Sequence, residues 1–231
     1  MSSVEIYIVV EGQTEQTFVR DVLASEMATK GIYCHSVLIG KTGHKGGDLS
    51  FDRALLDITK FLKQRSDIYI STMFDYFRIN KNWPGIIELK QKIEKGTCFC
   101  ASEKARFLED ATLAEITKLF PDCNPENRVI PYIEMHEFES LLFSDAGILA
   151  KQLNINIDKI NELLAEYNGP EEINDDPVKA PSKRLETLKR GYRKVAMGKI
   201  ISERIGIAAI RKKCPHFNDW LERLENLRSI N

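Results

Sequence analysis

The sequence predicts an α/β fold: a parallel sheet of about four strands flanked by helices, followed by a helical C-terminal half. Short runs rich in β-branched residues alternate with amphipathic stretches as far as about residue 143, where the alternation stops. Beyond that point the apolar residues recur mainly at helical spacing. We therefore expect an α/β domain over residues 1–145 and a helical extension packed on it over residues 146–231.

The first strand and helix are encoded close to the N-terminus. Val4–Val10 is a short apolar run, typical of a buried strand in a parallel sheet. Glu11 follows it, Gly12 frees the backbone for a turn, and an amphipathic helix begins near Thr14. If the helix begins at the turn, Glu11 and Glu15 project to one face. The alternative is that Glu15 serves only to cap the helix.

The next two strands follow the same plan. Residues 32–39 predict the second strand, and residues 51–62 predict an amphipathic helix. The glycine- and lysine-rich loop between them, residues 40–48, does not match a phosphate-binding loop, so it is either a plain surface loop or a basic loop beside a site. Residues 67–74 predict the third strand, which ends at Asp75.

Further helices and a fourth strand complete the prediction. Residues 128–135 are typical of a strand, and Pro131 places it at an edge or makes its pairing irregular, because proline has no amide hydrogen to donate. The predicted helices that remain lie at residues 86–93, 98–120, 158–167 and 181–205 and around Trp220, with a loop at 168–180.

Composition limits the possible functions. The chain is 43% hydrophobic and 29% charged, as in ordinary globular proteins, and no apolar run approaches the ~20 residues of a membrane span. Its net charge of −1 gives no global case for nucleic-acid binding, although residues 179–199 are strongly basic. Five cysteines without a pairing pattern, and an N-terminus unlike a signal peptide, predict a cytoplasmic protein.

Three predicted strands end in acidic residues: Glu11 with Glu15, Asp75, and the segment 136–139, His-Glu-Phe-Glu. At one edge of a parallel sheet these side chains converge, and such a cluster is costly unless it binds a cation or a proton. Carboxylate oxygens suit Mg²⁺ or Mn²⁺, which also bind substrate phosphates. We expect the metal ligands to come from Glu11, Glu15, Asp75, Glu137 and Glu139.

The segment 136–139 also has structural interpretations. His136 at a strand end could be a packing or hydrogen-bonding residue instead of a catalyst. Glu137 and Glu139 could simply favour the positive end of a helix. Because they lie on different helical faces, we expect only one of them to reach the metal.

The motif Glu11-Gly12-x-Thr14-Glu15 after a hydrophobic strand, with Asp75 ending a later one, resembles the Toprim fold of topoisomerases, primases and OLD (overcoming lysogenization defect) nucleases. In the OLD group an acid four residues after the first glutamate also takes part, which matches Glu15. Toprim enzymes usually carry Asp-x-Asp at the second acidic strand, whereas this chain has Phe77 at the third position. Either Glu137 or Glu139 supplies the missing carboxylate, or the site holds one ion, or it is not catalytic.

Several segments along nearly the whole chain resemble a bacterial and archaeal family known as a domain of unknown function, DUF4276. They comprise residues 10–15, Phe74-Asp75-Tyr76-Phe77, residues 136–143, residues 180–185 and Cys214-Pro215-His216-Phe217. The resemblance implies a metal-dependent nuclease in mobile-element or phage defence. If its action needs ATP hydrolysis, a separate ATPase partner must supply it, because the chain has no ATP-binding phosphate loop. The competing hypothesis is a non-catalytic module that binds a nucleotide, nucleic acid or a partner ATPase.

The basic segment would hold phosphates. Lys183, Arg184 and Lys194 are predicted to contact scissile or flanking phosphates, with a solvated helix face as the alternative. The predicted catalytic residues are Glu11, Glu15, Asp75, His136, Glu137 and Lys183.

Overall fold

A parallel sheet forms the centre of the computed structural model, which describes residues 3–40, 49–173 and 176–228. Its strands are β1 (Val4–Val10), β2 (Ile32–Leu38), β3 (Tyr69–Asp75), β4 (Val129–Ile130) and β5 (Ile133–Glu134). The strand order is β2-β1-β3-β4, and β5 continues beside β3. Every pairing in this sheet is parallel, so the carboxyl ends of its strands lie at one edge. The predicted α/β fold with a parallel sheet is confirmed.

The helices flank this sheet and make up the C-terminal half. The described α-helices are α1 (Gln13–Phe18), α2 (Ala24–Ala28), α3 (Phe51–Gln64), α4 (Ile86–Glu94), α5 (Ala101–Leu119), α6 (Pro125–Arg128), α7 (Ala146–Leu153), α8 (Asp158–Leu164), α9 (Pro181–Leu188), α10 (Lys194–Ile205), α11 (Ile207–Lys213) and α12 (Pro215–Glu225). A π-helical turn, Val19–Leu23, joins α1 to α2, and 3-10 helices occupy Tyr76–Arg78 and Phe138–Ser144. In the part of the chain that the structure describes, no helix has the length and apolar character needed to cross a membrane.

Pro131 divides the predicted fourth strand, as its missing amide hydrogen leads one to expect. Residues 128–135 form the two short strands β4 and β5 instead of one continuous strand. Between them the Thr72 hydroxyl donates to the Tyr132 carbonyl and accepts from the Tyr132 amide, both at 2.9 Å. This side chain of β3 therefore supplies the pairing that a regular ladder would otherwise make across the interruption.

Two other predicted elements differ from the structure. The prediction of a single basic helix at 181–205 is wrong, because α9 and α10 are separated by a turn in which Gly191 takes a φ of +81°. The helix at 98–120 begins only at Ala101, because the Glu103 carboxylate accepts the Cys100 amide at 2.8 Å and caps that end. The loop residues 41–48 lie outside the described residues.

The C-terminal helices complete the core on one face of the sheet. Trp220 of α12 stacks on Tyr132 with ring centroids 4.3 Å apart, and its indole donates to the Ser71 hydroxyl of β3 at 2.9 Å. Phe217 and Leu221 are fully buried in the same cluster as the side chains of β1. The sheet and the helical half therefore share one hydrophobic core.

Arg128 stabilises the edge of the sheet where β3 starts by donating hydrogen bonds to neighbouring segments. Its guanidinium donates to backbone carbonyls of Leu62 at 3.2 Å, of Ile68 at 3.2 Å and of Cys123 at 3.1 Å, and also to that of Arg65. These carbonyls belong to the end of α3, the approach to β3 and the turn before α6. One buried cation thus satisfies polar groups from three segments.

Candidate active site at the carboxyl edge of the sheet

The first acidic pair lies at the turn from β1 into α1. Glu15 is buried, and its carboxylate rests directly against Gly12: a Cβ built on Gly12 would lie 2.6 Å from Glu15 Oε2. A side chain at residue 12 would therefore displace the Glu15 carboxylate. Glu11 precedes this turn at the end of β1.

Asp75 ends β3, the strand next to β1. The two strands are in parallel register, with Val10 opposite Met73, so Glu11 and Asp75 leave the same edge of the sheet. Asp75 is buried, and its Oδ1 accepts the backbone amide of Phe138 at 2.9 Å. This hydrogen bond ties the end of β3 to the segment that carries the remaining acids.

That segment follows β5, which pairs with β3 through Asp75 and Glu134. His136 has a φ of +67°, a conformation that costs energy for a residue with a side chain, and its carbonyl accepts the Phe77 amide at 3.2 Å. Glu137 accepts the amide of Ser182, the second residue of α9, at 2.9 Å. Glu139 is buried in the 3-10 helix that follows.

Buried groups behind the site support this segment. Glu134 is fully buried and accepts hydrogen bonds from the Tyr132 hydroxyl at 2.7 Å and the Ser140 hydroxyl at 3.1 Å. Burial, together with the charge of Glu171, raises the pKa of Glu134 well above its ordinary value. Glu134 therefore links β5 to the 3-10 helix through the Ser140 hydroxyl.

Two cations face the acids. Arg78 Nε lies 3.2 Å from Glu11 Oε1, and Lys194 Nζ lies 3.8 Å from Glu137 Oε1 and 3.7 Å from Glu139 Oε1. Lys194 begins α10, which packs closely on α1. Gly198 permits this approach, since a Cβ there would meet Phe138 at 3.1 Å and Thr14 at 3.4 Å.

We refer to five residues as the acid cluster: Glu11, Glu15, Asp75, Glu137 and Glu139. Burial, with the charge of Glu15, raises the pKa of Glu11 to about 8 despite Arg78. Burial and the charges of Glu15 and Glu11 raise the pKa of Asp75 well above its usual range. Burial raises the pKa of Glu139 to about 7 against the opposing charge of Lys194, and burial raises that of Glu15 too. Ionising these carboxyl groups is therefore costly, and a bound proton or cation offsets that cost.

The donor atoms of the acid cluster are not gathered as a ready coordination shell. Across residues 3–40, 49–173 and 176–228, no three His, Cys, Asp or Glu side chains stand close enough to hold a metal ion together. Within this described part Glu11 Oε2 and Glu139 Oε1 are nevertheless buried without a hydrogen-bond partner. Hard oxygen donors, oxygens that accept no hydrogen bond and raised pKa values are features of a site that suits Mg²⁺ or Mn²⁺.

The basic residues predicted to contact phosphate lie in two places. Lys194 faces Glu137 and Glu139 of the acid cluster. Lys183 is exposed on α9 and pairs with Glu186 at 2.8 Å. Arg184 donates to the Lys179 carbonyl at 3.0 Å and to the Tyr167 hydroxyl at 2.5 Å, so its guanidinium is turned away toward α8. The structure brings Lys194 to the cluster and does not bring Arg184 to it.

Two residues near the acid cluster were not singled out from the sequence. Arg78 pairs with Glu11, and its place three residues after Asp75 was the available signal. Tyr192 lies buried near Glu139, its hydroxyl has no hydrogen-bond partner among the described atoms, and burial raises its pKa. Nothing in the sequence around Tyr192 indicates this position, because it depends on the turn between α9 and α10.

Residues 10–225 match the family described as "Domain of unknown function (DUF4276)". The chain belongs to this family. A search of the curated proteins gave no match. A solved structure, the C-terminal region of the OLD protein of Xanthomonas campestris pv. campestris, aligns at a TM-score of 0.35 and 18% identity, over 94% of this chain and 96% of that one.

Proposed function

We propose that this DUF4276 protein is a metal-dependent phosphodiester hydrolase that acts on nucleic acid. The observation that carries the proposal is the acid cluster: buried and half-buried carboxylates at the end of β1, in α1, at the end of β3 and after β5, where burial and neighbouring carboxylates raise the pKa values of Glu11, Asp75 and Glu139. Such a concentration of negative charge at the carboxyl edge of a parallel sheet is costly to fold, and function is its usual explanation.

Glu11 and Asp75 would hold the ion, with Glu15, Glu137 or Glu139 completing its shell. A bound Mg²⁺ or Mn²⁺ would neutralise the cluster and supply a positive charge for phosphate oxygens. Because Arg78 and Lys194 pair with Glu11, Glu137 and Glu139 in this arrangement, ion binding requires these pairs to loosen. Glu11 Oε2 and Glu139 Oε1, which are buried without a hydrogen-bond partner in the described part of the chain, are the atoms that support this role most directly.

The remaining residues would orient the substrate. Lys194 Nζ, released from Glu137 and Glu139, would hold a phosphate beside the carboxylates and offset the charge that develops on it. His136 lies at the same strand end and could exchange a proton with the reacting groups. Lys183 and Arg184 on α9 would contact phosphates farther along the strand.

A non-catalytic binding module is the second candidate. The presence of Phe77 where Toprim enzymes usually carry another acid favours it, because a phenyl ring cannot ligate a metal. By resemblance to OLD systems, a separate ATPase partner in mobile-element or phage defence belongs to both candidates, since this sequence contains no ATP-binding loop.

Metal binding is tested by calorimetry with Mn²⁺ and Mg²⁺. We expect divalent binding by the parent protein and its near loss in Glu11→Gln and Asp75→Asn, while the exposed Glu88→Gln on α4 behaves like the parent. Both site variants keep the size and hydrogen-bonding oxygen of the original side chain, so folding should survive. Parent-like binding in both variants would remove the metal assignment.

Catalysis is tested by incubating pure protein with single- and double-stranded DNA and RNA in Mg²⁺ or Mn²⁺. Cleavage by the parent and by Glu88→Gln, but not by Glu11→Gln or Asp75→Asn, is the expected result. Equal cleavage by all four proteins would point to a contaminating nuclease and defeat the proposal. Metal binding without any cleavage would favour the binding module.

The role of the basic residues is tested by oligonucleotide affinity across a salt series. Removal of one phosphate-binding side chain should weaken binding and lower the salt dependence by roughly one unit of slope. We expect weaker binding and a lower salt dependence for Lys194→Ala. If α9 lies along the bound nucleic-acid strand, we expect the same for the double variant Lys183→Ala with Arg184→Ala. Unchanged affinity and slope in a folded α9 variant would leave that helix as a solvated face.

A further inference from the structure

The end of β3 carries a group of aromatic side chains beside the acid cluster. The rings of Phe77 and His136 have centroids 5.2 Å apart and are tilted by 40°, and the Tyr76 ring lies 6.0 Å from that of Phe77. Tyr76 and Phe77 are both half-buried, so part of each ring faces solvent. The rare φ of +67° at His136 holds its ring in this group at an energetic cost.

Tyr76 of this group also lines a cleft of about 490 Å³. Tyr76, Cys98, Phe99 and Lys104 line it, together with the chain between α4 and α5. Its volume lies in the range of about 300–1,000 Å³ that is typical of small-molecule sites. Tyr76 directly follows Asp75, so one residue of the cleft lining is the chain neighbour of an acid-cluster residue.

The lining of this cleft combines aromatic faces with a cationic side chain. Tyr76 and Phe99 are half-buried rings, and the Phe99 ring is itself held edge-on by Phe107 with centroids 6.2 Å apart. Lys104, one turn into α5, brings a positive charge to the same cleft. Aromatic surfaces beside positive charge are the features by which proteins bind unstacked bases and their phosphates.

We propose that this cleft receives one unstacked base of a single-stranded nucleic acid whose backbone passes over the acid cluster. The choice of ligand rests on the proposed function, because the acid cluster is what directs a phosphodiester to this edge. Bases inside a duplex are paired and stacked, so their faces cannot enter a cleft of this kind. Tyr76 then belongs to the base-binding surface, and the Phe77 ring, at the position of the expected second acid, packs 6.0 Å from it.

The experiment measures binding of a single-stranded 15-nucleotide DNA that contains one 2-aminopurine, and of its duplex, in EDTA to prevent cleavage. The variants are Tyr76→Leu and Phe99→Leu. Phe120→Leu is the matched control: Phe120 is also half-buried, has Lys63 over its ring, and lies beyond the opposite end of α5. Circular dichroism establishes that each variant is folded.

We expect the single strand to bind at least about 10-fold more tightly than the duplex, with quenching of 2-aminopurine emission by stacking. Tyr76→Leu and Phe99→Leu should each weaken single-strand binding about 10-fold and restore the emission, while Phe120→Leu binds like the parent. No binding of either form, equal affinity for both, or parent-like behaviour of Tyr76→Leu and Phe99→Leu would overturn the inference.

A cleavage assay in Mn²⁺ with the same oligonucleotides separates this inference from the proposed function. Quenching that depends on Tyr76, without any cleavage, would defeat the hydrolase and leave the base-binding cleft. Cleavage of the single strand by Tyr76→Leu as fast as by the parent would keep the hydrolase and defeat the cleft.

Discussion

At the scale of single residues, Gly12 decides where the Glu15 carboxylate can lie. It has an extended backbone, with a φ of −135°, so alanine adds no backbone strain there. An added methyl group at residue 12 would lie 2.6 Å from Glu15 Oε2. Glycine at this position therefore serves the geometry of the acid cluster and not the conformation of the turn.

Gly12→Ala should leave the free energy of unfolding within about 1 kcal/mol of the parent and reduce Mn²⁺ affinity roughly 10-fold, because a displaced carboxylate no longer meets its ion. Calorimetry and thermal unfolding measure the two effects. Gly147→Ala in α7, where the nearest atom is 3.4 Å from the new Cβ, is the control. An unchanged Mn²⁺ affinity would show that Glu15 is not a ligand.

The raised pKa of Glu11 predicts how stability depends on pH in the metal-free protein. The folded state binds the Glu11 proton more tightly than the unfolded state, in which the pKa of Glu11 is 4.5. Protonation of Glu11 therefore makes its full contribution to the free energy of unfolding below pH 4.5. It is lost as the pH rises through about 8, the folded pKa. The total loss is on the order of 5 kcal/mol at most.

Urea unfolding in EDTA between pH 4 and pH 9 tests this dependence. The free energy of unfolding should fall with rising pH in the parent protein and fall less steeply in Glu11→Gln, which has no proton to lose at residue 11. Saturating Mg²⁺ should recover stability at high pH in the parent, since a cation replaces the proton. Parallel pH curves for the two proteins would contradict the assignment.

At the scale of elements, the contact of α10 with α1 places Lys194 beside the acid cluster. A Cβ on Gly198 would meet the Phe138 ring at 3.1 Å, so a larger side chain pushes α10 away from both α1 and the 3-10 helix. Gly198→Val should lower the free energy of unfolding by about 1–3 kcal/mol and weaken oligonucleotide binding. Ala196→Val, on the same helix but outside its buried positions, should change stability by less than about 1 kcal/mol.

Urea unfolding and oligonucleotide binding of Gly198→Val and Ala196→Val provide the measurement. If both variants lose the same stability, the loss reflects helix propensity and not the packing of α10. If Gly198→Val unfolds more easily but binds oligonucleotide as the parent does, Lys194 makes no phosphate contact.

The elements that the sequence predicted correctly are those whose signal is local. β1, β2 and β3 are short β-branched runs, and their placement at one parallel edge follows from the strand–helix alternation. The turn between α9 and α10 could not be foreseen, because Tyr192 is buried there by tertiary contacts and the basic residues are compatible with one helix. The Arg78 pairing with Glu11 depends likewise on two strands becoming neighbours.

For the site, the sequence predicted which carboxylates lie at one edge of the sheet, but not which cations offset their negative charge. Acids at three strand ends predicted a cluster, and the charges of Glu11 and Glu139 add to the effect of burial in raising the pKa of Asp75. Their pairing with Arg78 and Lys194 depends on side-chain directions, which spacing does not specify. The metal ligands and phosphate contacts stay predictions, for which calorimetry and the salt series are the tests.

At the scale of the whole molecule, the shared core predicts that the chain unfolds as one unit. Trp220 and Phe217 of α12 cover Tyr132 and the side chains of β1, so removing the C-terminal helices would expose this face of the sheet. Far-ultraviolet and near-ultraviolet circular dichroism of the full chain should give coincident thermal transitions.

A fragment of residues 1–145 should accordingly lack a cooperative transition, because it is missing the aromatic residues that close its core. The full chain carrying Leu119→Ala, a substitution at an exposed position of α5, is the control and should unfold like the parent. A fragment that melts cooperatively near the parent temperature would instead establish residues 1–145 as an independent domain.

Arg128 makes the two ends of the sheet unequal in their chemistry. Burial lowers its pKa, yet an arginine remains charged throughout the accessible pH range, so its hold on the carbonyls of Leu62, Arg65, Ile68 and Cys123 does not titrate. The opposite end depends on carboxyl groups that exchange protons near neutral pH. Protonation, ion binding or substrate binding can therefore move the chain beyond Asp75. The starts of the strands stay in place throughout, because the contacts of Arg128 do not depend on pH.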